Sequence, residues 1–555
     1  MKHFFYLLLS LTFYNISLNS IQKGSLRGNF SDEPIKNMLE IKSSINSNII
    51  ELESDYIITK ISWTKREDYK FNYLLGIFEG SNDPSFSDAV PIAMIKEQGN
   101  LNEINYIDIN VPKVYKYIRY IPPNQNKTDI SPIKFYGQLQ SEIDINLRED
   151  FQITNLPLIS IHTEDSIKPT QKSQELNCKI VITNKGEIQT KEDATIKVRG
   201  KSTSMQEKKP YKIKFNTKQE ILGLKGSYKK WTLIANHYDR SLMRNALAFK
   251  VGQLVGYEYT PRCLPVDLVL NAEYRGNYYL CDQVEIGKDR INIDAMEKTD
   301  ITEPNITGGY YCEIDGGGDF YGYKNLVTPK GIKWKINEPD EDDITEEQKN
   351  YIIGKMNQFE SEAYSGIFNS MDYETYSKFF LVEEFCGDPD EIWSSFYFTK
   401  RRNDDKFYFG PIWDFDLAFD NDMRLIPTND KPDFVFNYAG GAQAGTMLNF
   451  TKILIGEKSI INYIRETWEN LKKTTLNEDA LINFIDQQQE LIKESAELNF
   501  IKWDNYVKEK NSRKRGRFKI NSKSFTDDID TLKDYIKKRF VSLTNIIDKA
   551  VPKAK

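Results

Sequence analysis

The chain has 555 residues and a nearly balanced charge, with 75 Lys and Arg against 81 Asp and Glu and a formal net charge of −6. That length is enough for two to four domains, and 39% hydrophobic and 13% aromatic residues exclude a disordered chain. A dedicated nucleic-acid-binding protein is disfavoured, because affinity for phosphate chains depends on surplus Lys and Arg. Three histidines and five scattered cysteines disfavour a histidine-rich zinc site or a hydrolase with a catalytic histidine. Any chemistry must therefore depend mainly on carboxylates, Lys and Arg.

The N-terminus has the pattern of a secretory signal peptide over residues 1–20, followed by a linker over 21–39. Lys2 precedes a short apolar run, Phe4–Tyr14, which is well below the roughly 18 residues needed to span a bilayer. An ordinary N-terminal helix is the alternative. No later segment is long and apolar enough for an integral membrane span. Glycosylation sequons at Asn29, Asn126, Asn305 and Asn449 also fit a glycoprotein that is secreted or held at the cell surface.

Residues 40–140 carry the signals of a small β-sandwich. Strand-like runs over Tyr56–Trp63, Tyr73–Phe78 and Tyr117–Ile121 are separated by turn residues. The segment resembles a discoidin-type, galactose-binding-like module at Gly76–Phe86, at Lys116–Pro123 and at Lys134–Gly137. The resemblance implies that loops at one end of the sandwich bind glycan, lipid or protein, and a glycan is the partner we predict.

From about residue 155 the pattern becomes mixed, and helical periodicity dominates after about residue 341. The predicted strands of this part are Leu156–Ile161, Lys179–Thr183, Ala194–Val198 and Tyr211–Phe215. The last predicted helix has one apolar stripe, formed by Ile529, Leu532, Ile536, Phe540, Leu543 and Ile547. Thr526 is its predicted N-cap. We expect an α+β fold with a helical C-terminal part.

Two segments rich in carboxylates, Gly387–Phe398 and Gly410–Phe419, are the most informative for chemistry. In phosphoryl transfer, one carboxylate aligns the attacking hydroxyl and others hold Mg²⁺ on the phosphates. Kinases provide these groups in an Asp-x-x-x-x-Asn loop and an Asp-Phe-Gly turn. Asp390 and Ser395 reproduce the first spacing with Ser in the Asn place, and Asp414-Phe415-Asp416 is similar to the second. The alternative is that Asp414 and Asp416 merely alternate along a strand.

Around these residues the chain from 155 to 550 resembles the CotH-type kinases, a family of spore-coat kinases also found in fungal surface proteins. Six blocks in the same order carry the resemblance: Val198–Phe215, Asp239–Asn245, Tyr274–Leu280, Gly308–Asp315, the Asp390 segment and Pro411–Asp416. The resemblance implies an atypical protein-kinase-like, two-lobed domain that uses ATP and Mg²⁺ or Mn²⁺ to phosphorylate Ser or Thr of secreted or coat proteins.

Carried over by position, the resemblance makes Asp390 the catalytic-loop carboxylate and Asp414 the metal-binding one, with Asp416 a second metal ligand. Ser395 stands where the family commonly has Asn, which puts the affinity for metal in doubt. Asp282 stands where the family has Glu, after the Tyr-x-Gly-x-Tyr strand, and is a predicted nucleotide-binding residue.

Cationic side chains near these blocks suit the triphosphate, to which Lys offers a point charge and Arg a two-pronged donor. On the strand over Tyr211–Phe215, Lys212 and Lys214 point away from the apolar residues. The predicted phosphate ligands are Arg199, Lys209, Lys212, Lys214 and Arg244, with exposed strand positions as the alternative for the lysines. Asp239 is either the N-cap of the next helix or part of the site. The glycines over Glu313–Asp319 indicate a flexible turn.

The sequence thus predicts a secreted protein with an N-terminal β-sandwich and a CotH-like kinase domain that transfers phosphate from ATP to protein hydroxyls. The alternative is a catalytically silent surface protein in which the same fold serves adhesion or invasion. Asp390, Asp414 and Lys209 favour the enzyme, whereas Ser395 and Asp282 favour the alternative. A glycan-binding protein led by the N-terminal module is a third hypothesis.

Overall fold

We describe a computed structural model of the chain. The described residues are 34, 38–42, 48–65, 73–109, 113–123, 130–142, 152–315, 326–422, 425, 427–439, 445–503 and 524–551. The chain divides into two compact units, one formed by 1–158 with 183–188 and the other by 159–182 with 189–555. The predicted signal peptide lies outside the described residues, and the domain boundaries at 40–140 and 155–550 stay predictions.

The N-terminal unit contains two antiparallel sheets. Its strands are β1 (Met38–Lys42), β2 (Asn48–Leu52), β3 (Tyr56–Lys65), β4 (Ile77–Ser81), β5 (Val90–Met94), β6 (Ile104–Asp108), β7 (Tyr117–Ile121) and β8 (Ile130–Leu139). One sheet has the order β1-β2-β7-β4-β5 and the other the order β6-β3-β8. Phe78 on β4 meets Phe135 on β8 with ring centroids 6.2 Å apart, so apolar rings join the two sheets. The predicted β-rich N-terminal region is confirmed, although Tyr73–Gly76 precede the strand.

A closed barrel follows, in the strand order β10-β11-β12-β13-β15-β14-β9. Its strands are β9 (Leu158–Thr163), β10 (Leu176–Asn184), β11 (Glu187–Val198), β12 (Tyr211–Gln219), β13 (Tyr228–Ile234), β14 (Cys263–Leu270) and β15 (Glu273–Asp282). The predicted alternation on β12 is confirmed: Tyr211, Ile213 and Phe215 pack into the barrel core, whereas Lys212 and Lys214 do not. The barrel therefore turns its lysines outward beside the site described below.

The remaining described residues form a five-stranded sheet and several helices. The sheet has the order β17-β18-β16-β19-β20, and its strands are β16 (Tyr310–Ile314), β17 (Leu326–Val327), β18 (Lys333–Glu338), β19 (Phe396–Lys400) and β20 (Phe407–Phe409). The helices are α1 (Arg244–Val255), α2 (Glu346–Tyr364), α3 (Tyr373–Cys386), α4 (Gly445–Gly456), α5 (Lys458–Thr474), α6 (Glu478–Trp503) and α7 (Phe525–Ala550). The α+β class with a helical C-terminal part is confirmed, whereas the two-lobed kinase-like arrangement stays a prediction. None of the helices in the described ranges combines the length and the apolar content needed to cross a bilayer.

Helix α7 buries the predicted apolar stripe, including Ile529, Leu532 and Leu543. Its N-cap is Ser524 rather than Thr526, because the Ser524 hydroxyl accepts the Asp527 amide at 3.1 Å. Thr526 lies inside the first turn.

A buried arginine fixes α7 against α3. The Nε atom of Arg539 donates to the Glu384 carbonyl oxygen at 2.9 Å, and its Nη2 atom lies 3.2 Å from the Glu384 carboxylate. Both side chains are fully buried. Since α3 leads directly into the Asp390 segment, this ion pair links the C-terminal helix to the candidate site.

We predict that Arg539→Ala destabilises the protein by about 3–5 kcal/mol, because it leaves the Glu384 carboxylate buried without its cation. Urea unfolding followed by tryptophan fluorescence measures the loss. Lys538→Ala is the control, since the Lys538 side chain is exposed on the same helix and its pairing with Asp534 is weak in water. Equal midpoints for the two variants would contradict this description of the ion pair.

Candidate active site

The Asp414 segment is a loop that is held at both ends by helices. The Phe415 amide donates to the Asn245 side-chain oxygen on α1 at 2.8 Å, and the Phe419 amide donates to the carbonyl of Cys386, the last residue of α3, at 2.7 Å. Asp414 has a left-handed backbone with a φ of 75°. Since Pro411–Phe415 form no strand, the alternative of alternation along a strand is wrong. Strained left-handed residues are held in place where a side chain must point in a defined direction.

The Asp390 segment begins where α3 ends. Gly387 ends the helix with a left-handed backbone, as is common at helix C-termini. The Asp390 amide then donates to the Asp388 carboxylate at 3.3 Å, and the Asp390 carbonyl accepts the amides of Trp393 and Ser394 at 3.1 and 3.2 Å. These bonds form a compact turn that fixes the position of Asp390.

The two segments bring their carboxylates together. Burial raises the pKa of Asp416 well above its usual range, and the charges of Asp414, Asp239, Asp390 and Asp388 raise it further. Burial likewise raises the pKa of Asp388, helped by Asp390 and Asp414. The predicted catalytic and metal-binding carboxylates therefore lie within electrostatic range of one another, although 24 positions separate Asp390 from Asp414 in the chain.

Asp414 is the member of this group with the most access to solvent. Partial loss of water raises the pKa of Asp414, but the positive charges of Arg199 and Lys201 oppose that rise. The Arg199 guanidinium lies 5.0 Å from the centre of the Trp413 ring, which places it beside the Asp414 backbone. Thus Arg199, a predicted phosphate ligand, lies next to the predicted metal ligand.

Lys201 is a site residue that our sequence reasoning did not select, although it lies in the Val198–Phe215 block. Its Nζ atom donates to both carboxylate oxygens of Asp315, at 2.6 and 2.5 Å, while the side chain keeps 41% exposure. Asp315 is fully buried and also lies 3.6 Å from Lys335. The interpretation of Glu313–Asp319 as a flexible turn is wrong at its start, because Glu313 lies in β16; residues 316–319 are outside the described part.

The lysines on β12 have different environments. Lys212 is half-buried, and burial together with the charges of Lys230 and Lys197 lowers its pKa to about 8. Arg199 adds to this repulsion, so Lys212 belongs to the same positive region. Lys214 is exposed and faces Lys230 across the ladder to β13.

Two other predicted phosphate ligands make structural contacts. Lys209 donates to the carbonyls of Ser204 and Gln206 at 2.7 and 3.0 Å and thereby closes the turn between β11 and β12. Arg244 is buried and forms an ion pair with the buried Asp239, whose carboxylate also accepts the Arg244 amide at 2.7 Å. The N-cap of α1 is Met243, so the prediction that Asp239 is the N-cap is wrong, although its carboxylate binds the first residue of the helix. The charge of Asp239 also acts on the Asp416 carboxylate.

Asp282, the predicted nucleotide-binding residue at the end of β15, is fully buried between two arginines. Its carboxylate accepts Nε and Nη2 of Arg262 at 2.7 and 3.0 Å and lies 3.3 Å from Nε of Arg290. Asp282, which is one methylene shorter than the Glu expected there, is thus part of an ion-pair network at the end of β14 and β15. Its role towards a nucleotide stays a prediction.

Two buried carboxylates, Glu383 and Asp388, form a pair at the end of α3. Glu383 on α3 hydrogen-bonds to Asp388, and burial followed by the charge of Asp388 raises the pKa of Glu383 well above its usual range. Such a pair shares a proton, because two carboxylates this close cannot both ionise. The sequence analysis did not select either residue. Their position shortly before Asp390 in the sequence is the signal that could have identified them.

Asp414 and Asp416 fit a divalent cation in their chemistry, because they offer the carboxylate oxygens that Mg²⁺ prefers, and Mg²⁺ usually takes only one or two protein carboxylates together with water and substrate phosphates. The third predicted ligand, Ser395, has a side chain that hydrogen-bonds to Tyr397. Among the described residues, no group of three or more His, Cys, Asp or Glu side chains is arranged to hold a metal ion. A divalent cation at Asp414 and Asp416 would therefore need further oxygen ligands from water and phosphate.

An aromatic cavity borders the Asp414 loop. The cavity has a volume of about 60 Å³ and is partly open to solvent. Its lining residues include Tyr257, Tyr259, Asn292, Tyr408 and Gly410. The buried hydroxyl oxygens of Tyr257 and Tyr259 have no hydrogen-bond partner among the described residues. A β-carbon on Gly410 would meet the Tyr257 ring at 3.0 Å, so a glycine allows this close contact. The cavity thus offers aromatic surface and two unused polar groups.

The chain is similar to known proteins in two regions. A carbohydrate-binding module, CBM62 from Clostridium thermocellum Xyl5A, is similar to the N-terminal region at 27% identity over 17% of this chain and 71% of its own, with a TM-score of 0.16. No curated protein matches the chain. The model of the family described as CotH kinase protein matches residues 196–543, which is more than half of the chain and contains every carboxylate of the site. The chain therefore belongs to the CotH kinase protein family.

Proposed function

We propose that this protein is an ATP-dependent protein kinase, with a two-lobed kinase-like domain, that transfers the terminal phosphoryl group of ATP to Ser or Thr hydroxyls of a surface or coat protein. The observation that carries the proposal is the meeting of the Asp390 and Asp414 segments beside Arg199 and Lys201. Carboxylates opposite accessible cations are what phosphoryl transfer needs, because it depends on positioning and electrostatic stabilisation.

Each side chain has a role in this proposal. Asp390 orients the attacking hydroxyl and accepts its proton. Arg199 and Lys201 bind phosphate oxygens, and Lys212 adds positive charge from β12. Asp414 and Asp416, with the Ser395 hydroxyl, would hold Mg²⁺ or Mn²⁺, which neutralises charge on the phosphates when it is bound.

The aromatic cavity is our proposed location for the adenine base. A purine is flat and has both donors and acceptors on its edge, so it can stack on tyrosine rings and satisfy the hydroxyls of Tyr257 and Tyr259. Gly410 lies four residues before Asp414, which keeps base and phosphate positions on one continuous loop.

A second candidate is a catalytically silent protein that uses the same fold for adhesion at a surface. The observations that favour it are Ser395 in the Asn place and the engagement of Asp282 by Arg262 and Arg290. In either case we propose secretion, from residues 1–20, and a glycan as the partner of the N-terminal module. Phosphate transfer distinguishes the two candidates.

We predict that Asp390→Asn and Asp414→Ala each reduce phosphate transfer by at least about 100-fold, since each removes a group that acts on the reacting atoms. The assay measures incorporation from γ-labelled ATP with Mn²⁺ into casein and into the chain itself. Asp193→Asn is the matched control, because Asp193 is 66% exposed on the barrel. No transfer by the wild type would favour the silent protein, and equal transfer by all forms would show that the carboxylates are wrongly assigned.

Arg199 and Arg244 should respond differently to the same substitution. Arg199→Met is expected to weaken ATP binding about 10-fold or more, through the loss of a charge-assisted hydrogen bond, with little change in thermal stability. Arg244→Met is expected to destabilise the fold by about 3–5 kcal/mol, because it leaves Asp239 buried and unpaired. Calorimetric titration and thermal unfolding measure the two effects, and a stability loss confined to Arg199→Met would reverse the assignment.

Lys212 predicts a pH dependence. Its pKa is lowered to about 8 in the folded protein, so its charge is present below pH 8 and is lost as the pH rises through 8. ATP affinity should therefore decrease between pH 7 and pH 9. The free energy of unfolding should rise between pH 8 and the higher pKa that Lys212 has in the unfolded chain. Over this range the unfolded chain binds more protons than the folded protein.

The matched variants are Lys212→Arg, which keeps its charge over this range, and Lys212→Met, which lacks it. Titration with ATP at pH 7, 8 and 9 should show that the ATP affinity of the wild type decreases with pH. The affinity of Lys212→Arg should stay high, and that of Lys212→Met should stay low, at all three pH values. A wild-type affinity that does not change with pH would exclude Lys212 from the phosphate site.

A further inference from the structure

Two cysteines face each other across a pair of barrel strands. Cys263 begins β14, Cys281 is the penultimate residue of β15, and the antiparallel register pairs them directly. All five cysteines are free thiols in the structure. Cys312 pairs with Ile336 and Phe398 across its two ladders, and Cys386 ends a helix.

The backbone hydrogen bonds show which type of pair this is. The Asp282 amide donates to the Arg262 carbonyl at 2.9 Å, so residues 262 and 282 form the hydrogen-bonded pair next along the ladder. Hydrogen-bonded and non-hydrogen-bonded pairs alternate in an antiparallel ladder, so Cys263 and Cys281 are a non-hydrogen-bonded pair. Such pairs have Cα atoms about 4.5 Å apart, within the 4.4–6.8 Å range that a disulfide requires.

The side chains also point to the same face. Leu280 belongs to the barrel core and Leu264 packs against it, so the neighbouring cysteines lie on the outer face of the same two strands. Cys281 is fully buried there and Cys263 is partly buried. Asp282, the residue after Cys281, forms ion pairs with Arg262 and Arg290.

We propose that Cys263 and Cys281 are a modification site that is oxidised to a cross-strand disulfide. The oxidant is a disulfide such as oxidised glutathione. The Cys263 thiolate attacks it, releases one small thiol and forms a mixed disulfide; Cys281 then loses its proton, attacks the Cys263 sulfur and releases the second thiol. Two protein thiols thus become one S–S bond, and one small disulfide becomes two thiols.

Burial explains when this bond forms. Burial is the main cause that raises the pKa of both thiols, and it makes the reactive thiolate scarce once the barrel is complete. Oxidation is therefore expected while β14 and β15 are still accessible during folding, after which the buried bond is protected from exchange. The bond then fixes the end of β15 beside Arg199, whose charge acts on Cys281. The proposal does not depend on phosphate transfer, because it concerns the thiols alone.

The test is disulfide mapping of the full-length chain, refolded in a buffer of reduced and oxidised glutathione. After denaturation and alkylation without reductant, mass spectrometry should find Cys263 and Cys281 in one linked peptide pair, 2 Da lighter than the two reduced peptides. Cys178, Cys312 and Cys386 should be alkylated. Alkylation of Cys263 and Cys281 as well, or a link from either to another cysteine, would overturn the proposal.

A stability measurement tests the same disulfide without proteolytic digestion of the protein. Reductant should lower the thermal midpoint of the wild type, because a closed loop restricts the unfolded chain. The double variant Cys263→Ser with Cys281→Ser should have the same midpoint with and without reductant. Cys178→Ser, a buried cysteine on β10, is the matched control and should keep the dependence of the wild type. A dependence on reductant that persists in the double variant would refute the pair.

Discussion

The repulsion between carboxylates that the fold places together at the end of α3 is the constraint on which the site depends. Asp388 and Asp416 are buried, Asp390 is half-buried and Asp414 is accessible, and each of the two buried groups has its pKa raised by its neighbours. A cluster of this kind costs free energy unless cations offset the charge. Arg199 and Lys201 approach it from the barrel side, so the site is built from opposite charges on two different parts of the unit.

The surrounding structure supplies the rigidity that holds these charges. The Asp414 loop is bonded to α1 through Asn245 and to α3 through Cys386, and α3 is in turn fixed to α7 by Arg539. The left-handed backbone of Asp414 is tolerated because bonded residues on both sides restrain it. Helices distant from the carboxylates therefore help to hold the Asp414 loop in place.

The sequence predicted those features that depend on local patterns. The alternation of Tyr211, Ile213 and Phe215 with lysines predicted β12 and its faces, and the apolar stripe predicted α7, because both periodicities follow from the geometry of one element. The N-cap of α7 was misplaced by two residues, from Ser524 to Thr526, since either hydroxyl suits a cap and the geometry of the first turn decides between them.

Ion-pair partners set by the fold were beyond such patterns. Arg244 and Asp282 were expected near phosphate, but Arg244 pairs with the buried Asp239 and Asp282 with the buried Arg290, and no spacing rule identifies either pair. Lys201 was overlooked for the same reason, because its partner Asp315 lies more than one hundred residues away. The family blocks compensated in part: they selected Asp390 and Asp414 together, and the structure brings both into one electrostatic group.

We propose that Asp414 and Asp416 hold a divalent cation together with a nucleotide. Electron paramagnetic resonance of Mn²⁺, titrated into the full-length chain with a non-hydrolysable ATP analogue, measures this binding. Mn²⁺ should be bound tightly only when the analogue is present, and Asp414→Asn should weaken the binding by about tenfold or more. Equal Mn²⁺ binding by the wild type and Asp414→Asn, with or without the analogue, would show that these carboxylates do not hold the cation.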